Sequence, residues 1–168
     1  MKKNIYIFFL VLLITNYSFS QGYWTQKANL SSTARGDAFC FSIGNKGYVG
    51  SGGDYNWNQL QDFWEWDQTI NTWTQKATFV GVARWQSVSF SIGTKGYVCS
   101  GQGSLGQYND LWEYNTVTNL WVQKTSLPAI ARNAAVGFSI NNKGYLCTGI
   151  NNGIFKKDFP NHASIITV

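Results

Sequence analysis

The sequence predicts an all-β protein made of about three successive copies of one four-stranded antiparallel unit. Three observations predict it. Trp24, Trp73 and Trp121 stand 49 and 48 residues apart, and Arg35, Arg84 and Arg132, like Gly47, Gly96 and Gly144, keep the same spacings. Within each copy, large apolar residues alternate with small ones at a period of two. The composition, 17 Gly, 2 Pro and 17% aromatic residues, suits short strands and tight turns, and no 3.6-residue stripe persists.

The text itself recurs around these anchors. Trp-Thr-Gln-Lys-Ala fills 24–28 and 73–77, with Trp-Val-Gln-Lys-Thr at 121–125. Phe-Ser-Ile recurs at 41–43, 90–92 and 138–140, and Lys-Gly-Tyr at 46–48, 95–97 and 143–145. In the first strand of each copy Phe39, Phe41 and Ile43 alternate with Ala38, Cys40 and Ser42. Val88, Phe90 and Ile92 alternate with Ser87, Ser89 and Ser91, and Val136, Phe138 and Ile140 with Ala135, Gly137 and Ser139. Strand side chains alternate between faces, so each copy carries one bulky face and one small face. That pattern suits sheets stacked on both sides, bulky face against the next copy's small face, with Phe41, Phe90 and Phe138 buried.

Two-residue turns follow at Gly44-Asn45, Gly93-Thr94 and Asn141-Asn142, residue types that tolerate the positive φ of a tight hairpin. Second strands are expected over 47–51, 96–100 and 144–148, third strands over 63–67 and 111–115, and fourth strands over 72–75 and 120–123. Each copy is then a four-stranded meander of roughly 50 residues, the size and pattern of a propeller blade.

The order Arg84, Gly96-Tyr97-Val98, Gly101, Asp110-Leu111-Trp112-Glu113-Tyr114-Asn115, Trp121 resembles the kelch repeat. The likeness covers about 22–159 and includes Tyr48, Trp64 and Tyr145 at matched positions. It implies a partial kelch-like β-propeller with units at about 29–76, 78–124 and 126–159, led by a fourth-type strand at 22–27. The family's Gly-Gly pair survives only as Gly52-Gly53, since Gln102 and Ile150 replace the second Gly.

Residues 1–20 read as a secretory signal peptide. Lys2 and Lys3 precede the apolar run Ile5 to Ile14, and Ser18-Phe19-Ser20 offers a cleavage site before Gln21. The run is short of the ~20 residues that span a bilayer, so an exported chain with no membrane span is expected, secreted, periplasmic or at the cell surface. Without Lys2 and Lys3 the formal charge falls from +5 to +3. Of the remaining lysines, six recur one per unit (Lys27, Lys76, Lys124; Lys46, Lys95, Lys143), as a solvated face would, and no concentrated basic patch points to nucleic acid.

The third copy stops resembling the repeat after Asp158-Phe159, where Pro160-Asn161-His162-Ala163 begins an aberrant tail, 160–168. Propellers take roughly four to eight blades. Three readings follow: a remnant of a longer propeller with no independent function, self-association that completes a ring, or a partial arc.

Chemistry is sparse. The single histidine, His162, supplies no base for a hydrolase triad, and there is no zinc spacing, calcium loop or phosphate cradle. No cofactor is expected. The three cysteines, Cys40, Cys99 and Cys147, fill small-residue slots and read as small buried hydrophobes. Arg35, Arg84 and Arg132, one per unit, read as structural hydrogen bonding between blades, with a ligand contact as the other role for Arg84. Function is therefore expected on the longer loops, 54–61, 102–109 and 151–157 with 29–36, 78–85 and 126–133. Tyr55, Trp57, Trp85, Tyr108 and Asn109 fall there, outside the repeated core positions, and suit glycan stacking or protein contact. The expected function is non-catalytic binding of a protein or glycan. An enzyme like the sialic-acid mutarotases, which share the kelch-like fold, would need acid and base groups at a central opening. The only glutamates, Glu65 and Glu113, sit at matched repeat positions instead.

Overall fold

A computed structural model describes residues 22–157 and the backbone of Ile166–Thr167. The expected signal peptide and most of the aberrant tail lie outside the described residues. Those described are all-β, with no helix, so none is long and apolar enough to cross a membrane.

The first unit is a four-stranded antiparallel meander of β1 (Phe39–Ile43), β2 (Lys46–Gly50), β3 (Phe63–Asp67) and β4 (Thr72–Gln75). After the short β5 (Arg84–Trp85), the second unit repeats it with β6 (Val88–Ile92), β7 (Lys95–Cys99), β10 (Leu111–Asn115) and β11 (Leu120–Lys124). Register is conserved between them: Phe41 lies opposite Tyr48, and Phe90 opposite Tyr97. In the third unit β12 (Val136–Ile140) pairs with β13 (Lys143–Cys147), whose other edge takes β16 (Ile166–Thr167) in the third-strand position. Each β1-type hairpin turns through a positive φ at Gly44, Gly93 or Asn141, as those residue types require.

The stacking follows from the alternation. Phe41 reaches over Gly96 of the second unit, so closely that a Cβ there would lie 2.1 Å from the ring; Phe90 covers Gly144 of the third unit at 2.2 Å. Only glycine leaves room for the ring. The result is two buried seams. The first gathers Phe39, Phe41, Tyr48, Phe63, Phe79, Val98, Tyr114 and Trp121, and the second Val88, Phe90, Ile92, Tyr97, Cys99, Leu111, Leu127 and Leu146.

Several expectations are corrected. Second strands begin one residue early, at the lysines. Residues 22–30 form no strand, because no described strand lies beside them to pair with. The loops after the second strands contain small hairpins, β8 (Gln102–Gly103) with β9 (Gly106–Gln107) and β14 (Ile150–Asn151) with β15 (Ile154–Phe155). Gln102 and Ile150, which replace the second Gly, open these hairpins. Cys99 and Cys147 are buried but Cys40 is exposed, because no described sheet covers the small face of the first unit. Burial, the dominant influence, pushes the Cys99 thiol up to about 12.

Arg35 and Arg84 grip acceptors inside their own units rather than between them. Arg84 Nη1 and Nη2 grip Asp110 at 2.5 and 2.7 Å while Nε donates to the Val82 carbonyl and Nη1 to that of Ser100. Arg35 grips Asp62 in the same fork, at 2.6 Å twice. Trp64 and Trp112 donate their indole N–H to these same aspartates. Burial raises the Asp62 carboxyl, but Arg35, Ser32 and Trp64 outweigh it and hold the group well below the usual range. Arg132 is likewise buried and bonds the Ile130 and Thr148 carbonyls; Asp158, at the matching spacing, lies outside the described residues. Beside the packed seams, hydrogen bonds to backbone join the units: Gly52 N–H and Ser51 Oγ donate to the Arg84 carbonyl, and Gly101 N–H to that of Arg132.

Four of the six periodic lysines, Lys46, Lys76, Lys95 and Lys124, are ion-paired rather than merely solvated. Lys46 Nζ lies 2.6 Å from Glu65 Oε1, while Glu65 Oε2 accepts from Tyr48 Oη at 2.7 Å and lies 3.8 Å from Lys76 Nζ. Lys95, Lys124 and Tyr97 surround Glu113 in the same way.

Candidate functional site

Three of the expected contact residues converge. Tyr55, Trp57 and Trp85 line one open cleft of about 670 Å3 with Ala34, Arg35, Gly36, Asp37, Gly53 and Asp54. The cleft lies between the β2–β3 loop of the first unit and the start of the second.

Its shape is built locally. Gly36 and Gly53 exchange backbone hydrogen bonds of 2.9 and 3.0 Å and bring the two loops together. Trp85 then lies against Gly53, where a Cβ would come within 3.2 Å of the indole. Asp54 organises the loop tip: Oδ1 accepts from the Asn56 and Asn58 N–H groups, both at 2.8 Å, and Oδ2 from Asn58 Nδ2 at 2.9 Å. The Asn58 side-chain bond first, then the backbone bonds, hold the Asp54 carboxyl below its ordinary value. This Asx turn carries Trp57 at φ +63°.

That φ is informative. The other non-glycine residues with positive φ are asparagines in turns or recur at the same place in each unit (Asp37, Gln86, Ala134; Ser51, Ser100, Thr148). Trp57 alone is neither. A bulky side chain in the left-handed region costs about 1 kcal/mol or more. Here the strain projects a largely exposed indole edge to face against Trp85, centroids 6.1 Å apart and planes at 80°. Tyr55 stands beside it almost fully exposed.

The other three expected residues lie elsewhere. Arg84 is completely buried, with its guanidinium 4.2 Å above the Tyr108 ring, so it offers no surface to a ligand. Tyr108 is half-buried beneath it, and its Oη has no hydrogen-bond partner among the described residues. Asn109 Nδ2 donates to the Leu127 and Ala129 carbonyls, a linker tie that Gln61 repeats with Phe79 and Gly81. Sequence reasoning missed Asp37 and Asp54. Asp37 stands where the other units have Gln86 and Ala134, and Asp54 follows the one intact Gly-Gly pair, so both carried a signal as departures from the repeat. Glu65 and Glu113 are held in the sheets by Lys and Tyr partners, away from this cleft.

No protein-family model matches the chain, and no curated protein matches it.

Proposed function

We propose that this is an exported, non-catalytic, kelch-like β-propeller segment that binds a glycan in the cleft of Trp57 and Trp85. The observation that carries the reading is the pair of tryptophans, neither at a repeated core position, presented together at one loop cleft with one of them in a strained backbone conformation. Pyranose rings have an apolar face that stacks on indole, and their hydroxyls pair with carboxylates such as Asp37. The fold reading is supported by two meanders of identical register, stacked bulky face to small face, and by the start of a third. Export is supported by the pattern of residues 1–20, and a mature N-terminus at Gln21, read by mass spectrometry, is its check.

A glycan array followed by tryptophan-fluorescence titration tests the binding. Trp57→Ala and Trp85→Ala each weaken glycan binding about tenfold, the worth of one aromatic contact, while Tyr108→Phe leaves it unchanged. No glycan bound on the array sinks the reading. A protein ligand lost with the same two substitutions would replace the glycan.

A further inference from the structure

We propose that the sugar held in the cleft of Trp57 and Trp85 is cationic: an amino sugar with a free ammonium group, as in a β-linked glucosamine oligomer. The proposal rests on the glycan reading above and adds to it the charge of the ligand.

The cleft is acidic in a basic chain. The whole sequence carries a formal charge of +5, yet the charged residues that line the cleft are Arg35, Asp37 and Asp54. Arg35 is committed elsewhere. Its Nη1 and Nη2 grip Asp62, each at 2.6 Å, and only 3% of its side chain is exposed. Two carboxylates therefore line the cleft with no unpaired cation beside them.

The departures from the repeat gather at this one place. Asp37 stands where the other units have Gln86 and Ala134, Asp54 where they have Gly103 and Asn151, and Trp85 where they have Gly36 and Asn133. The scaffold does not need the Asp37 carboxylate. The Asp37 carbonyl accepts from Gln86 N–H at 3.0 Å, and the Gln86 carbonyl accepts from Ala134 N–H at 3.1 Å, so alanine holds the same turn. Asp37 Oδ2 accepts one long bond, 3.4 Å, from Gln86 Nε2, and Oδ1 accepts none among the described residues. The result is an exposed carboxylate fixed beside the residue that follows Trp85.

The aromatic rings point the same way. The indoles of Trp57 and Trp85 stand at 80° with centroids 6.1 Å apart, two walls of a corner. The face of an aromatic ring carries the negative part of its quadrupole, and indole attracts a cation most strongly. Tyr55, exposed in the same cleft, adds a third ring. A neutral sugar uses the apolar walls and leaves the carboxylates to its hydroxyls. An amino sugar uses both features at once: its C–H face lies on indole, and its ammonium, fixed to the same rigid ring, donates to Asp37 in a charge-assisted bond. A lysine side chain brings the same charge on a flexible stem that loses more rotamer freedom on binding, and it has no flat C–H face for the indole.

Tryptophan-fluorescence titration of the protein with a glucosamine oligomer, and with its N-acetylated counterpart of equal length, tests this. The positive charge of the chain as a whole repels a polycation, so its binding reports the cleft. The free amine binds about tenfold tighter than the acetylated oligomer, and added salt weakens only the former. Asp37→Asn removes the charge and keeps the turn, because Asn tolerates the φ of +54° found there. This variant melts as the parent does, binds the glucosamine oligomer about tenfold more weakly and leaves the acetylated one unchanged. Equal affinity for the two oligomers, tighter binding of the acetylated one, indifference to salt, or parental glucosamine affinity in Asp37→Asn overturns the proposal. A neutral glycan that binds through Trp57 and Trp85 with no preference for the amine overturns it too, and leaves the glycan reading standing. Binding of no glycan at all overturns both. A lysine-rich peptide that displaces the glucosamine oligomer at equal affinity moves the site to cationic peptides and overturns the proposal as well.

Discussion

The two seams have the same register but different materials. In the first, Phe39, Phe63 and Phe79 meet Tyr114 and Trp121 in edge-to-face contacts, with the Phe63 and Tyr114 centroids 4.7 Å apart. In the second, Val88, Leu111 and Leu127 stand at the positions of Phe39, Phe63 and Phe79. The lost volume is returned from the facing strands: Cys99 replaces Gly50, and Leu146 replaces Val98. A Cβ on Gly50 would fall 2.7 Å from Phe39 and 2.9 Å from Phe63, so the larger side chain is allowed only where the rings are gone. The repeat therefore conserves the sum of volumes at each level of a seam rather than the residue at each position, which is what interiors packed at crystal density require.

The largest effect that tests this contrast comes from the glycines under the rings. Gly96→Val sets bulk against Phe41, which is stacked on Tyr48 at 5.1 Å within a dense aromatic cluster. Gly144→Val sets the same bulk against Phe90 in the aliphatic seam. Overpacking costs about 1–3 kcal/mol and depends on how far the neighbours can yield. Branched aliphatic chains have more ways to shift than interlocked rings. Urea denaturation should show a loss of about 3 kcal/mol for Gly96→Val and about 2 kcal/mol for Gly144→Val. The reverse order would mean that ring content does not set the rigidity of a seam.

A smaller effect sharpens the point by transplanting one seam into the other. Gly50→Cys alone should destabilise by about 2 kcal/mol. Made together with Phe39→Val and Phe63→Leu, it imports the set found in the second unit, and the three changes should cost about 1–2 kcal/mol less than the sum of Gly50→Cys and the Phe39→Val, Phe63→Leu pair. Additive losses in a denaturation cycle would refute the exchange of volume.

How much of this was legible beforehand depends on whether a residue's partner is set by the repeat. The β3 and β10 limits, the burial of Phe41 and Phe90, and the tight turns were readable because alternation and turn chemistry act within a few residues. The Arg84 grip on Asp110 was misplaced to the joint between units. A period shows that a residue recurs, but not which of the acceptors recurring with it lies in reach. The hairpins β8–β9 and β14–β15 were hidden for a related reason: two-residue strands are too short to display a period. Tyr55, Trp57 and Trp85 were legible as departures from the repeat, yet nothing in the sequence separated them from Tyr108 and Asn109, which depart equally and serve the scaffold.

The smallest expected effect concerns what the units share. Burial raises the carboxyls of Glu65 and Glu113, but hydrogen bonds from Lys46 and Tyr48, or from Lys95 and Tyr97, and the charges of Lys76 or Lys124 outweigh it and hold each below the ordinary value of 4.5. A carboxyl whose pKa is lower folded than unfolded contributes stability that is present above its unfolded value and lost as pH falls through the folded one. Stability should therefore decline below about pH 4.5, with Asp62, lowered in the same sense, extending the loss further into acid. Glu65→Gln and Glu113→Gln should each cost about 1 kcal/mol at pH 7 and flatten the acid limb of a stability-against-pH curve. Equal flattening would show that the two seams, so unlike in apolar content, set their carboxylates in one electrostatic frame. A larger change at Glu65 would instead reflect Tyr114, whose hydroxyl burial first and the Glu65 charge second push up to about 12, tying this carboxylate into the aromatic seam.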